Sequence, residues 1–185
     1  PGYVPAEEVA DPVAEARALI EASGVTFDEP LDLSFSAGDA VQENVAILLQ
    51  ATLAEAGIPV ELRKMPVAAY SDTVQSKQAE LAIWTYLPIQ PDPVYAVALM
   101  YSTTGVANFA NYSEADVDAA ITSVSADIGE ARMANVADAV ALIREDSPIG
   151  WMVEQFWLLG VSNDIVGLNF NTCQYYKVSE MSFAG

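Results

Sequence analysis

Residues 31–62 decide the fold, and they read LDLSFSAGDAVQENVAILLQATLAEAGIPVEL. Leu31 to Phe35 alternates apolar and polar residues, which is typical of a half-buried strand. A turn over residues 36–39 leads into a long amphipathic helix that ends at Gly57, and Ile58 to Leu62 follows as the next strand. A strand, a helix and a second strand in this order predict a βαβ unit with parallel strands.

Helices and strands continue to alternate in both directions along the chain. Upstream, Asp11 and Pro12 predict the start of a helix that ends at Gly24, because aspartate caps a helix and proline suits its first position. Downstream, the pattern predicts helices over residues 67–78, 94–100 and 129–145, a helix capped by Ser113, and strands over residues 80–86 and 151–161. We therefore predict an α/β fold with a central, mostly parallel sheet flanked by helices.

The sheet itself indicates where a ligand would bind. In open parallel sheets the ligand crevice lies outside the carboxyl ends of the strands. The residues at those ends are Phe35-Ser36-Ala37, Leu62-Arg63-Lys64 and Trp84-Thr85-Tyr86. A hydroxyl, a basic pair and two aromatic rings are thus expected around one rim. Two alternatives stay open: Trp84 could be a core residue, and Lys64 could form a solvated ion pair.

Charge excludes several partners. The chain has 26 acidic and 7 basic residues, so its net charge is −19. Such a chain is repelled by nucleic acid and by anionic membrane surfaces. The acids are scattered along the sequence, which favours a solvated acidic surface, as in a saline habitat, over a cation site. No run of about 18 apolar residues occurs, so no direct membrane insertion is expected.

The sequence also lacks the residues of common catalytic sites. It contains no histidine, which excludes Ser-His-Asp and Cys-His triads and the usual zinc sites. Neither a dinucleotide-binding nor a P-loop motif is present. Asp116 and Asp118 are close in sequence, but they favour a helix start rather than an acid–base pair. Cys173 is interpreted as a small apolar filler. We expect no enzyme activity, no cofactor and no bound metal.

A series of short motifs occurs in the same order as in a known family. The series runs through Asp11-Pro12, Ala16 to Ile20, Leu53 to Leu62, Glu80 to Trp84, Asp92-Pro93, Asn111-Tyr112-Ser113, Asp116, Asp118 and Ile143 to Pro148. Over residues 11–170 it resembles the second lobe of the periplasmic dipeptide-, oligopeptide- and nickel-binding proteins of ABC importers, the extracytoplasmic solute-binding proteins of family 5. The resemblance implies a type II periplasmic-binding-protein fold.

It further implies a two-lobed receptor that closes over a peptide or other small solute and delivers it to the membrane permease of an ABC importer. Such a receptor is periplasmic, and its leader would lie outside this sequence. The chain would be the carboxy-terminal lobe only. We expect residues 1–10 to lead in, residues 11–168 to form the α/β lobe, and residues 169–185 to return to the missing lobe.

The resemblance also implies how the ligand is held. In peptide-binding relatives an aspartate after the strand-ending Trp, and in dipeptide binders an arginine after the lobe's first strand, hold the charged ends of the ligand. The corresponding positions here are Leu87 and Ser36, so both ionic anchors are absent. A neutral aromatic wall remains, suited to a longer peptide, a sugar or another weakly charged solute; nickel is not expected without histidine. The expected ligand-binding residues are Ser36, Trp84, Thr85, Tyr86, Leu87 and Asn108.

Two other classes of function compete with a binding receptor. A carboxylate-dependent hydrolase would need two acids across a deep pocket, one of them with a raised pKa. An acidic protein-interaction domain would use the charged surface itself and make salt-sensitive contacts. Trp151 and Trp157 lie in the predicted strand over residues 151–161 and are expected to be packing residues.

Overall fold

The structure is a computed structural model that describes residues 9–87, 89–126, 128–155, 158–170, 173 and 175–184. The chain divides into two compact units, the first ending at Thr85 and the second beginning at Tyr86. This boundary falls inside residues 11–168, which were predicted to form one lobe. That division, with its lead-in and tail, stays a prediction.

The first unit alternates helices and strands. Its elements are α1 (Pro12–Ser23), β1 (Leu31–Ser36), α2 (Ala40–Ala56), β2 (Val60–Met65), α3 (Val67–Gln75) and β3 (Leu81–Ala82). The strands form a parallel sheet in the order β2-β1-β3, with Leu31 opposite Val60 and Leu33 opposite Leu81. The predicted βαβ arrangement and parallel sheet are confirmed.

The central strand β1 is buried more completely than the alternating pattern predicts. Four consecutive residues, Leu33 to Ser36, are buried. Successive side chains of a strand point to opposite faces, so both faces of β1 must be covered. Helices α2 and α3 both contact this strand, and Leu33 and Phe35 pack against Ala46 of α2. The polar Ser34 and Ser36 made the strand look half-exposed, although neither faces solvent.

Local capping fixes the ends of the helices in the first unit. The Asp11 carboxylate accepts a hydrogen bond from the Ala14 N–H at 3.0 Å at the start of α1. The Asp39 carboxylate accepts from the N–H groups of Val41 and Gln42, both at 3.0 Å, at the start of α2. Gly57 ends α2 with φ 92, a left-handed conformation that glycine adopts without steric cost.

Three helices and a small antiparallel ladder make up the described part of the second unit. Its elements are α4 (Pro93–Tyr101), α5 (Ala115–Ala126), α6 (Gly129–Asp146), β4 (Ile165–Val166), a 3-10 turn (Val178–Glu180) and β5 (Ser182–Phe183). The helices contact one another around Tyr101, Ile121 and Ile143. Strands β4 and β5 are antiparallel, with Ile165 opposite Phe183.

Asp92 links two helices of this unit. Its carboxylate caps α4 by accepting from the Val94 N–H at 2.9 Å, and both carboxylate oxygens lie 2.9 Å from one guanidinium nitrogen of Arg132 on α6. The hydrogen bond from Arg132 is the main reason that the pKa of Asp92 is lowered, and the backbone bond from Val94 adds to it. The predicted Asp-Pro turn is thus also a helix cap.

Two sequence predictions are wrong in this unit. The strand expected over residues 151–161 is absent from its described residues, 151–155 and 158–161, which are irregular and exposed. An apolar run supplies side chains for a strand, but the ladder also needs a partner, and no described strand pairs with this segment. Trp151 is 66% exposed, and its indole N–H donates to the Tyr101 hydroxyl at 3.0 Å. Trp157 lies outside the described residues.

The predicted cap of α5 is also misplaced. Helix α5 begins at Ala115, and the Ser113 hydroxyl lies 2.9 Å from that of Thr103 instead of capping the helix. Asp118, in the first turn of α5, accepts from the Thr103 N–H at 2.8 Å. The side chains around the helix start therefore hold the preceding loop. None of the described helices is long and apolar enough to cross a membrane.

The surface charge predicts how salt affects stability. The ion pairs of the described residues are partly exposed: Arg63–Asp32, Lys64–Glu43, Arg132–Asp92 and Lys177–Glu180. Such pairs contribute little, and 7 basic residues cannot offset 26 acidic ones. Repulsion among the acids therefore opposes folding at neutral pH.

Raising NaCl from about 0.1 M to about 1 M shortens the screening length from about 10 Å to about 3 Å. We expect the melting temperature to rise by about 3 °C or more, which corresponds to about 1 kcal/mol for a protein of this size. Scanning calorimetry at neutral pH measures the change, and a scan near the isoelectric point, about 4.1, is the control in which salt should matter less. A melting temperature that stays constant or falls with salt at neutral pH contradicts the prediction.

Candidate functional site

The carboxyl end of β1 and the segment after β3 come together in the first unit. Ser36 is the last residue of β1 and is buried, whereas Trp84 is 43% exposed. Thr85 follows Trp84, and its hydroxyl oxygen lies 3.4 Å from the Gln42 amide nitrogen. Three of the residues predicted from the rim of the sheet, Ser36, Trp84 and Thr85, therefore lie in one region of one unit.

The hydrogen-bond ladder between β1 and β3 stops immediately before Trp84. Its last backbone bond runs from the Ile83 N–H to the Ser34 carbonyl at 3.0 Å. In a parallel ladder the next bond would join the Ser36 N–H to the Ile83 carbonyl. Instead, the Ser36 N–H donates to Gln42 Oε1 at 2.9 Å, and the Ile83 carbonyl accepts from the Tyr70 hydroxyl. The strand predicted over residues 80–86 is therefore only Leu81–Ala82, because side chains take over the next ladder positions.

Gln42 is one of the two side chains that end the ladder. It occupies the third position of α2 after the Asp39 cap and is 6% exposed. Its Oε1 accepts from the Ser36 N–H, and its amide Nε2 donates to Thr85 Oγ1 at 3.4 Å. Glutamine at this position of a helix often reaches back to the backbone before the helix, which is the signal that could have indicated Gln42 in the sequence.

Tyr70 is the other side chain at the end of the ladder. It lies on α3 and is 4% exposed, and its ring stacks on the Trp84 indole with centroids 6.1 Å apart and planes inclined by 25°. Burial, with a smaller contribution from the Asp39 charge, raises the pKa of Tyr70 to about 12. The hydroxyl is protonated at neutral pH, as in an ordinary tyrosine, and donates to the Ile83 carbonyl. No sequence pattern distinguished Tyr70 from an ordinary core tyrosine.

Lys64 lies at the end of β2, at the same edge of the sheet. Its ammonium group contacts both carboxylate oxygens of Glu43, at 2.9 and 2.8 Å. Of the two roles considered for this lysine, the geometry supports the solvated ion pair rather than a free cation aimed at a ligand.

The other predicted site residues, Tyr86, Leu87 and Asn108, belong to the second unit. Tyr86 packs against the core around Tyr101, and its buried hydroxyl has no hydrogen-bond partner among the described residues. Burial is the main cause of the raised pKa of Tyr86, and Tyr95 and Cys173 contribute less. Leu87 is partly exposed.

Asn108 is held inside a loop. It is 1% exposed, its amide nitrogen donates to the carbonyls of Ser102 and Tyr112 at 3.0 and 2.7 Å, and its oxygen accepts from the Tyr112 N–H at 3.0 Å. Three of the four hydrogen bonds that an asparagine side chain can form are thus used to close the loop. The contacts indicate a structural residue, and the role of Asn108 as a ligand contact stays a prediction.

The acidic pair considered for hydrolysis does not have the properties of an acid–base pair. Hydrogen bonds from the Thr103 side chain and N–H lower the pKa of Asp118, whereas a general acid at neutral pH needs a raised pKa. Asp116 is exposed. Among the described residues, no group of three histidine, cysteine, aspartate or glutamate side chains could hold a metal ion.

The first unit has the geometry of an α/β protein whose parallel sheet presents polar and aromatic side chains at its carboxyl edge. Residues 1–108, more than half of the chain, match the family model of bacterial extracellular solute-binding proteins, family 5, middle region. The chain therefore belongs to this family. No curated protein matches the sequence.

Solved structures of similar fold include several solute-binding proteins. HbpA2 from Haemophilus parasuis is 14% identical at a TM-score of 0.74, with 92% of this chain and 35% of that chain covered. The binding protein DppA from Helicobacter pylori, in complex with the peptide STSA, is 18% identical at a TM-score of 0.67, with 73% and 27% covered. NikA from Staphylococcus aureus, in complex with Ni(L-His)2, is 19% identical at a TM-score of 0.69, with 80% and 32% covered.

These likenesses confirm the predicted fold, an α/β periplasmic-binding-protein-like arrangement with a parallel sheet flanked by helices. At such low identity they show the fold alone. The chain spans about a third of the length of the structures that it matches.

Proposed function

We propose that this chain is part of the ligand-binding portion of a periplasmic receptor that captures a small organic solute and delivers it to the permease of an ABC importer. Membership of the solute-binding family supports this proposal. The coverage of about a third of each solved relative supports a longer, two-lobed protein in which a second lobe closes over the ligand.

One observation carries the proposal: Trp84 follows closely after β3 and stacks on Tyr70, yet it is 43% exposed. A tryptophan that only stabilised the core would be more deeply buried, because its large apolar surface stabilises by leaving water. A stacked but accessible indole beside the Thr85 hydroxyl offers an apolar face and a hydrogen-bonding group to a solute.

The charge distribution supports a weakly charged ligand. Leu87 and Ser36 stand at the positions where the peptide-binding relatives described above have ionic anchors, and Lys64 is paired with Glu43. The solved relatives bind different ligands, a peptide in one case and a nickel complex of histidine in the other. Because these positions carry no ionic anchor, we favour a longer peptide gripped through its backbone, a sugar or a similar organic solute. The receptor would have no enzyme activity.

The test uses the longer receptor that the proposal implies. The protein is purified from its native host under non-denaturing conditions, and mass spectrometry of the released small molecules identifies the co-purifying solute. The expected result is one dominant organic solute in stoichiometric amount. Finding no solute, together with no response to peptides or sugars in calorimetric titration, would overturn the proposal.

Replacing Trp84 by alanine in that receptor should weaken binding of the identified solute at least about tenfold, equivalent to about 1.4 kcal/mol. Stability should fall by less than about 3 kcal/mol, the lower end of the cost of removing a buried aromatic side chain, because the indole is partly exposed. Titration calorimetry and thermal unfolding measure the two effects. Trp151→Ala is the matched control, since Trp151 is also exposed but lies in the second unit. A large loss of stability with unchanged affinity would assign Trp84 to the core.

A further inference from the structure

We propose that Gln42 and Tyr70 are positioning residues that hold Trp84 and Thr85 away from β1 as a preformed wall of the binding site. That the wall belongs to a binding site rests on the proposed function. The positioning of Trp84 and Thr85 is a property of the chain alone. Each of the two side chains makes two contacts, one with the backbone at the end of the ladder and one with the wall.

Gln42 and Tyr70 satisfy the backbone groups at the end of the ladder between β1 and β3. If the parallel ladder continued by one bond, the Ser36 N–H would pair with the Ile83 carbonyl, and the chain after Ile83 would follow β1 as a regular strand. Buried N–H and carbonyl groups need partners, so a strand can leave the sheet only where other groups replace the ladder. Gln42 satisfies the Ser36 N–H, and Tyr70 satisfies the Ile83 carbonyl. The chain is therefore free to turn away at Trp84 without leaving either group unpaired.

Gln42 and Tyr70 also contact the two residues of the wall, Thr85 and Trp84. The amide nitrogen of Gln42 donates to Thr85 Oγ1 at 3.4 Å, and the ring of Tyr70 stacks on the Trp84 indole. The same two side chains that end the ladder thus hold the two residues that follow it. Both are buried on helices α2 and α3, which contact β1, so their positions are fixed by the sheet. A wall fixed in this way binds without the cost of ordering it first.

The test follows Trp84 directly in the 185-residue chain. Biosynthetic labelling with 5-fluorotryptophan gives one fluorine resonance for each of the three tryptophans, and Trp84→Phe assigns the resonance of Trp84. Thr85→Val removes the hydroxyl but leaves the bond between Gln42 and Ser36, and Gln42→Met removes both hydrogen bonds while keeping the length of the side chain. Both variants should move or broaden the Trp84 resonance by more than its linewidth, whereas the conservative variant Thr85→Ser should leave it in place.

Gln50→Met is the matched control. Gln50 lies on the same helix and donates one hydrogen bond, to the Val60 carbonyl at 2.8 Å, so its loss changes stability without touching the wall. The Trp84 resonance should be unaffected in this variant. The inference is overturned if Gln42→Met and Thr85→Val lose stability like Gln50→Met but leave the Trp84 resonance unchanged. If Gln42→Met fails to fold, Thr85→Val and Thr85→Ser decide the question.

A second readout separates this inference from the proposed function. In the longer receptor, Thr85→Val should weaken solute binding severalfold, and Gln50→Met should not. If no solute is found, the proposed function fails, while the fluorine spectra still support or overturn the positioning role. If the Trp84 resonance moves but the affinity for an identified solute is unchanged, Gln42 positions the segment but the segment is not a wall of the site, and the inference is overturned.

Discussion

Replacing Asn108 by alanine is expected to lower the free energy of unfolding of the second unit by about 3 kcal/mol, since each lost hydrogen bond costs about 1 kcal/mol. The side chain is almost completely buried and holds the carbonyls of Ser102 and Tyr112 and the N–H of Tyr112. Alanine leaves all three backbone groups without their partner and opens a small void, which adds to the loss. Urea unfolding followed by amide NMR signals of the second unit measures this change.

Asn108→Asp separates the hydrogen bonds from the packing. Aspartate fills nearly the same volume, but its second oxygen would face the carbonyls of Ser102 and Tyr112, where the amide nitrogen now donates. We expect a loss at least as large as with alanine, and a nearly neutral effect would mean that shape alone matters. Asn163→Ala, in an exposed turn, is the matched control and should change stability by less than about 0.5 kcal/mol.

The result decides between two roles for Asn108. A structural asparagine loses stability when it is replaced, and any change in solute affinity follows from the loosened loop. A ligand contact would show the opposite pattern, with stability unchanged and affinity reduced. If Asn108→Ala unfolds like the parent chain but no longer binds solute, the structural interpretation is wrong and the sequence-based prediction of a binding role is supported.

The parts of the fold that the sequence predicts well are those fixed by local chemistry. The cap at Asp11 and the helix ends at Gly24 and Gly57 depend on residues a few positions apart, and the structure has them as expected. The parallel order of β1 and β2 follows from the intervening helix, because a crossover of that length joins parallel strands. The rim of the sheet follows from the strand ends, so Ser36, Trp84 and Thr85 were found together.

The parts that the sequence does not predict depend on residues distant in the chain. Strand β3 is short because two side chains bond the groups that would continue its ladder: Gln42 accepts from the Ser36 N–H, and Tyr70 donates to the Ile83 carbonyl. These residues lie 41 and 13 positions before Ile83 in the sequence. The apolar segment over residues 151–161 has the composition of a strand, but composition does not supply a neighbouring strand. Asn108 is predicted to line the ligand wall, and its burial depends on loop partners that no sequence pattern indicates.

Replacing Gly105 by alanine is expected to destabilise the same loop by about 3 kcal/mol, the upper part of the usual range for overpacking. A Cβ atom at this position would overlap the carbonyl oxygen of Leu99 and lie 2.8 Å from that of Ala98. Both are backbone atoms at the end of α4, so neither can move aside as a flexible side chain would. The cost arises from lack of space rather than from a left-handed backbone, since no such φ occurs at Gly105.

The glycine cannot shift away from the clash, because its backbone is held on both sides. Its N–H donates to the Ser102 carbonyl at 2.9 Å, and its carbonyl accepts from the Asn108 N–H at 3.1 Å. Urea unfolding followed by the same amide signals measures the loss. Gly160→Ala is the matched control, since a Cβ there meets no atom of the described residues within 4 Å, and it should change stability by less than about 0.5 kcal/mol.

Because Gly105 and Asn108 restrain one turn, their effects should not add. Once the turn is loosened by Asn108→Ala, the backbone at Gly105 can relax away from Leu99, so alanine there should cost less than in the parent chain. We expect the double variant to lose at least about 0.5 kcal/mol less than the sum of the single losses, the threshold at which coupled sites depart from additivity. Additive losses would mean that Gly105 and Asn108 stabilise the loop independently, and a Gly105→Ala variant as stable as Gly160→Ala would contradict the clash itself.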